Sequence, residues 1–276
     1  MSSAKIIEDS INTYTGNGDR ITTMQIKLRR MVLAELNTHR RLSKNFSSSR
    51  AIPTKKLLEQ VRTNPVMPLW WGKNQSGMQA KEELDPITKK ESQQDWLCAA
   101  RGAADIAEVM AKKGVHKQIV NRLIEPFMWV EGIVTSTEWE NFFSLRCHPD
   151  AQPEIQELAY AMRDALNASV PVERDWHLPY ITEEERQDVA ALQRIDEETL
   201  AKISAARCCR VSYLKHDGTA PSVRDDLDLF DKLASGVPIH ASPLEHQARV
   251  LGNSYASRNF VGWEQFRAIW EDRQSK

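Results

Sequence analysis

Between Thr38 and Arg50 the chain reads Thr-His-Arg-Arg-Leu-Ser-Lys-Asn-Phe-Ser-Ser-Ser-Arg. The guanidiniums of Arg40, Arg41 and Arg50 stand among short neutral donors, Ser43, Asn45, Ser47, Ser48 and Ser49. Arginine presents a planar fork of N–H groups, and the backbone amides of a loop can converge beside it. This chemistry holds a phosphate. Local charge points the same way. From Lys27 to Lys56 nine basic residues face the single acid Glu35, a net +8 within a 276-residue chain whose total is −1. The rest therefore carries −9, part of it in Pro171–Leu200, where nine acids face three arginines and the pattern reads as a solvated, helix-prone connector. A balanced total excludes a protein that coats nucleic acid or an anionic membrane with its whole surface, so the basic window reads as a compact anion site. Its one aromatic, Phe46, is too few for the stacking platforms of single-strand binders. A nucleic-acid-binding module using residues 27–56 is nevertheless the alternative from another class.

Other reactive side chains read as structural. Cys147 and His148 follow Arg146, and a thiolate there would be reactive, but a packed thiol is expected. Cys98, Cys147, Cys208 and Cys209 show no framework spacing, as in a reducing compartment. His240 and His246 do not share a helix face, and no metal-ligand spacing appears. Trp70, Trp71, Trp129, Trp139 and Trp263 read as packing groups. No apolar run approaches the length of a membrane span. The N-terminus lacks a basic and then apolar leader, so a cytoplasmic protein is expected.

The elements that must position these groups follow from periodicity. Thr22, Met24, Ile26 and Leu28 alternate as a half-buried strand, and Met31–Leu36 reads as a short helix. Ser43–Ser49 reads as a loop and 64–79 as irregular chain. Helices are expected over 90–113, stopping at Gly114, and over 116–125, broken at Pro126. A strand is expected over 127–135, and Thr137 to Glu140 reads as a capping box for the helix carrying Asn141 to Arg146. Pro153 suits the first turn of the next helix. Further helices are expected over 199–208, over 222–234 with a Ser222–Asp225 cap, and over 262–270. The class is α+β, a sheet with flanking helices.

The string at 38–50 resembles the signature Arg-His-Arg-x-x-Ser-x-Asn-x-x-Ser-x-Arg of the flavin-dependent thymidylate synthases. It matches at His39, Arg40, Ser43, Asn45, Ser48 and Arg50, with Thr38 in place of the first Arg. Asn141-Phe-Phe-Ser-Leu-Arg146 and Ala151-Gln-Pro-Glu-Ile155 resemble a second family segment, and Arg122, four residues before Pro126, a nucleotide-contacting arginine. Ala206-Arg-Cys-Cys-Arg-Val-Ser-Tyr213 and His240-Ala-Ser-Pro-Leu-Glu-His246 resemble two more. In familiar members these last two come first, so the resemblance implies a circularly permuted chain of the kind found in phage-encoded members, acting in a host cytoplasm. It implies one domain over 1–276, with blocks 21–170 and 199–247, a connector over 171–198 and a helical tail over 260–276.

Carried over, the resemblance implies FAD, with methylene-tetrahydrofolate and NADPH as co-substrates, converting dUMP to dTMP in a homotetramer with shared sites. Arg50, Ser48 and Arg122 would hold the nucleotide, and Leu145 and Arg146 would address its ring, with Arg146 catalytic. His39, Arg40, Ser43, Asn45, Asn141, Ser212, His240, Ser242 and Glu245 would line the flavin side, and no metal is implied. Four positions depart from the family: Glu35 for a Gln, Phe46 for a Glu, and Thr135 and Thr137 where flavin-contacting Asn and Arg stand. These last two motivate a rival in which water traps the C5-methylene adduct, giving a 5-hydroxymethyl nucleotide from dUMP or dCMP.

Overall fold

A computed structural model of the chain describes residues 1–13, 19–192, 196–211, 219–236, 238–252 and 255–274. The chain opens with β1 (Ser3–Asn12) and β2 (Asp19–Arg29), then α1 (Leu33–Asn37), β3 (Ser43–Phe46), α2 (Thr54–Thr63) and α3 (Pro86–Lys112). Next come α4 (Lys117–Val120), β4 (Trp129–Ser136), α5 (Glu140–Arg146), α6 (Pro153–Ala168), β5 (Val172–Glu173) and β6 (Trp176–His177). After them follow α7 (Glu183–Leu192), α8 (Glu197–Arg210), α9 (Val223–Ala234) and β7 (Ala248–Val250). The last elements are β8 (Ala256–Ser257), β9 (Phe260–Val261), β10 (Trp263–Gln265) and α10 (Phe266–Gln274). The fold is α+β.

The main sheet runs β3-β4-β2-β1-β5, antiparallel throughout except for β5, which lies parallel to β1. Strand side chains alternate between faces, and both faces of β2 and β4 are covered. Met24, Ile26, Leu28, Val130 and Val134 meet Ile155, Leu158, Ala159 and Met162 of α6, together with Phe142 of α5. On the opposite face Ile21 packs with Ala248, Phe260 and Trp263, and Ile133 packs with Cys208 and Val211. Helices α2 and α3 form a separate apolar cluster with the segment around Ile124.

Helix α8 reaches the sheet because it is rich in small side chains, Ala201, Ser204, Ala205 and Cys208, all buried. It also carries Arg207, 1% exposed, which would be costly without partners. Glu185 accepts two hydrogen bonds from its guanidinium at 2.6 and 2.8 Å, and buried Asp226 accepts another at 2.9 Å. The acidic stretch is therefore not simply a solvated connector. It adds β5 and β6 to two sheets and supplies the countercharge for Arg207.

Other expectations need correction. Ser43–Phe46 is a strand, not a loop, because the edge of β4 offers unpaired backbone groups that override the weak strand propensity of Ser, Lys and Asn. The segment 116–125 is helical only to Val120 and then tightens into a 3₁₀ stretch through Phe127. No side chain caps α5; Ser136 Oγ accepts from the Glu138 amide, and Thr137 Oγ1 accepts from the Val261 amide. The tail does not begin as a helix at Gly262. There the chain has φ +76° and a Cβ would lie 2.2 Å from the Asp19 carboxylate, so α10 starts only at Phe266. Strand β1 carries no alternation strong enough to announce it.

At the end of β3 the Phe46 ring lies over Gly132, its partner across β4; a Cβ there would sit 2.0 Å from the ring and 2.7 Å from the Asn45 carbonyl oxygen. Gly132→Ala should destabilise the protein by about 1–3 kcal/mol in chemical denaturation. Adding Phe46→Ala should recover part of the midpoint lost, and an unchanged midpoint in the single variant would show that the strands can separate freely.

Candidate active site

Strand β3 divides the basic segment into two ends. Before it lies His39, buried, whose Nε2 accepts a 2.8 Å hydrogen bond from Nε of Arg146 at the end of α5. The ring stands edge-on to Phe142, one turn earlier in α5, with centroids 4.9 Å apart. Lys44 donates to the carbonyl oxygens of His39 and Leu36 and so holds the backbone of this turn. Burial, with the nearby charges of Arg146 and Lys44, pushes the His39 pKa down to about 4. Near neutral pH the ring is uncharged, and its proton sits on Nδ1 because Nε2 is an acceptor. Burial likewise lowers the Lys44 pKa to about 8, against the opposing pull of Glu245.

After β3 lies the Ser48–Arg50 turn. Ser49, rather than Ser48, anchors it: Ser49 Oγ donates to Glu125 at 2.6 Å, and the Asn121 amide donates to the Ser49 carbonyl oxygen at 2.7 Å. Glu125 also pairs with Arg30 at 2.9 Å and Arg122 at 3.2 Å. These contacts lower the Glu125 pKa despite its burial. Two guanidiniums on one carboxylate leave a net positive charge beside a cleft of about 470 Å³, lined by Arg30, Asn37, Arg122, Glu125 and Pro126 among others. Arg30 and Asn37 escaped the sequence reading. No motif marks Arg30, which lies in basic sequence and is singled out only by sharing Glu125 with Arg122.

Between the two ends Asn45 spends its amide on the late part of the chain. Its Nδ2 donates to the Cys208 carbonyl oxygen at 2.9 Å, and its Oδ1 accepts from Ser242 at 3.2 Å. Ser43 is buried, and its hydroxyl accepts from Asn259 and Gln265. Glu245 is paired with Arg267. Arg40, Ser48, Arg50, Asn141, Leu145 and His240 are exposed, and Ser212 lies outside the described residues. Arg40, Arg50, Asn141 and Arg146 show no carboxylate partner among the described residues, whereas Arg29, Arg30 and Arg41 of the basic window are paired internally. The +8 window is thus a set of separate cations and not a continuous stripe.

A profile described as thymidylate synthase complementing protein matches residues 21–172. The chain belongs to that family. The match takes in both ends of β3, Glu125 and Arg146. Among solved structures the chain is similar to PolB, a UMP/dUMP methylase of Streptomyces cacaoi solved with 5-Br UMP. They share 14% identity at a TM-score of 0.47, over 60% of this chain and 88% of that one. It is also similar to thymidylate synthase X of Helicobacter pylori, solved with FAD and dUMP. Here identity is 18% and the TM-score 0.37, over 53% of this chain and 67% of that one. A search of curated proteins returned no match.

In this family member the departing threonines serve the fold. Thr135 lies in a buried chain in which Ser10 bonds His177 Nδ1 (2.9 Å), His177 Nε2 bonds Thr23 (2.7 Å), Thr23 bonds Thr135 (2.7 Å) and Thr135 bonds His246 Nδ1 (2.8 Å). Burial raises the Cys147 thiol pKa, as a packed thiol requires. No cluster among the described residues could hold a metal ion, and none of their helices is long and apolar enough to cross a membrane.

Burial keeps the pKa values of His246 (about 3), His177 (well below 6.5) and His39 (about 4) low. A depressed histidine pKa means the unfolded chain binds more protons below about pH 6.5, so stability is full above that value and falls as the pH drops. The urea midpoint should fall steadily from pH 6.5 to pH 4.5, and less steeply in His246→Asn. A flat profile would show that these rings are already charged in the fold.

Proposed function

We propose that the chain is a flavin-dependent thymidylate synthase. It transfers a one-carbon unit from methylene-tetrahydrofolate to C5 of dUMP and forms dTMP, with NADPH as reductant. The observation that carries this reading is the Arg30–Glu125–Arg122 cleft, tied through Ser49 to the turn bearing Ser48 and Arg50, inside the family-matched segment. Arg50, Arg122 and Ser48 bind the nucleotide phosphate by charge-assisted hydrogen bonds. Arg146, with Leu145 beside it, faces the pyrimidine, where its positive charge favours the negative charge that develops on the ring as C5 becomes nucleophilic.

The open donors fit a flavin dinucleotide. Arg40 is exposed without a carboxylate partner among the described residues and suits a pyrophosphate, and Asn141 and His240 are exposed polar groups. Ser43, Asn45, Ser242 and Glu245 hold the surrounding loops in place through contacts within the chain. Bound FAD supplies the redox equivalents that bring the transferred carbon to the methyl level.

Two features of the resemblance belong to the same reading. Asn45 joins β3 to Cys208 and Ser242, which supports the idea that the late motifs occupy the place of early ones in a circularly permuted chain. The Arg146 and Arg50 ends are separated by β3, about 13 Å of extended chain, which favours a homotetramer whose copies share each site.

Product analysis by mass spectrometry, with FAD, methylene-tetrahydrofolate, NADPH and either dUMP or dCMP, tests the proposal. dTMP from dUMP is expected; a product heavier than dTMP by one oxygen would replace the synthase with a hydroxymethylase. A colourless protein that ignores FAD and shifts oligonucleotides would replace it with a nucleic-acid-binding module. Arg146→Ala should lower turnover by about 10² or more with the fold intact. Arg50→Ala should weaken dUMP binding far more than FAD binding, and equal losses would overturn the phosphate assignment.

A further inference from the structure

His39 stands in the part of the signature associated with flavin, yet its side chain is buried and turned to Arg146. The bond is made by Nε of the arginine, the one N–H that is not at the tip of the guanidinium, so the terminal N–H groups stay available to a ligand. We infer that His39 is a positioning residue for Arg146, accepting from its Nε–H so that the terminal fork is aimed at the pyrimidine. This inference rests on the reading of Arg146 given above.

Three features of the surroundings make His39 suited to the task. A carboxylate in its place would orient the guanidinium but cancel its charge, whereas a neutral imidazole orients it and leaves the charge for the substrate. Burial of the ring, with the nearby charges of Arg146 and Lys44, keeps the imidazole neutral. Phe142 and Arg146, one turn apart on α5, touch the ring from its edge and at Nε2, while Lys44 ties down its backbone carbonyl. Ring, helix and guanidinium are thereby held as one unit, and loss of the acceptor frees the arginine to swing.

A double-mutant cycle with His39→Leu, His39→Gln and Arg146→Ala, read on kcat, on the dUMP dissociation constant and on FAD binding, tests this. His39→Leu should lower kcat about tenfold to a hundredfold, as expected for a misplaced catalytic group, with FAD binding unchanged. In the Arg146→Ala background it should cost nothing further. His39→Gln, whose amide oxygen can accept from Nε, should recover most of the loss. Multiplicative effects, or an FAD affinity that falls in step with kcat, would overturn the inference and return His39 to the flavin.

A ligand-free readout separates this from the proposed reaction. In histidine-labelled protein the ¹⁵N shifts of His39 should report a neutral ring protonated at Nδ1 at pH 6, and Arg146→Ala should raise its pKa. If dTMP is not formed but these shifts hold, the reaction is wrong and the pairing stands. A proton on Nε2, or a pKa indifferent to Arg146, would overturn the pairing whatever the reaction.

Discussion

The antiparallel seat of β3 on β4 is the constraint on which the candidate site depends. Ser43, Lys44 and Asn45, all of poor strand propensity, are held with Phe46 by the register Ser43↔Thr135 to Phe46↔Gly132. That register sends His39 to Arg146 at one end and the Ser48–Arg50 turn to Glu125 at the other. It also aims Asn45 at the late chain, where both ends of its amide are used. Gly132 makes the arrangement possible, since no larger residue leaves room for the Phe46 ring.

Charge is distributed by the same logic of pairing and exposure. Cations inside the molecule have partners: Arg29 has Glu157, Arg30 has Glu125, and Arg207 has Glu185 and Asp226. An unpaired charge in those places would cost several kcal/mol. Three arginines of the candidate site, Arg40, Arg50 and Arg146, have no carboxylate partner among the described residues and sit where solvent or a ligand can reach them. Arg146 is the intermediate case, half-buried and restrained by an imidazole that leaves its charge intact.

The central sheet carries a buried polar network. Thr23 and Thr135, side by side on β2 and β4, link His177 on one side to His246 on the other. Thr137 accepts the amide of Val261 from the C-terminal hairpin. Hydroxyls at these positions bind the late chain to the sheet. Buried polar groups must be hydrogen-bonded, and here their partners come from far along the sequence.

By itself the sequence determined the α+β class, the alternating strand that became β2, helices α3, α6, α8 and α9 with the Ser222–Asp225 cap, and the family, through residues at fixed spacings in 38–50 and 141–155. Those features are local, set by periodicity, capping and short motifs. Tertiary structure alone decided that Ser43–Phe46 is a strand, that Glu185 of the acidic stretch pairs with Arg207, and that Ser49 rather than Ser48 anchors the turn bearing Arg50. It also decided that Glu125 gathers Arg30 with Arg122 and that His39 faces Arg146. Each of these outcomes needs a partner 22 to 107 residues away or an empty sheet edge, and a hydrogen bond or ion pair across such a distance leaves no period in the chain that makes it.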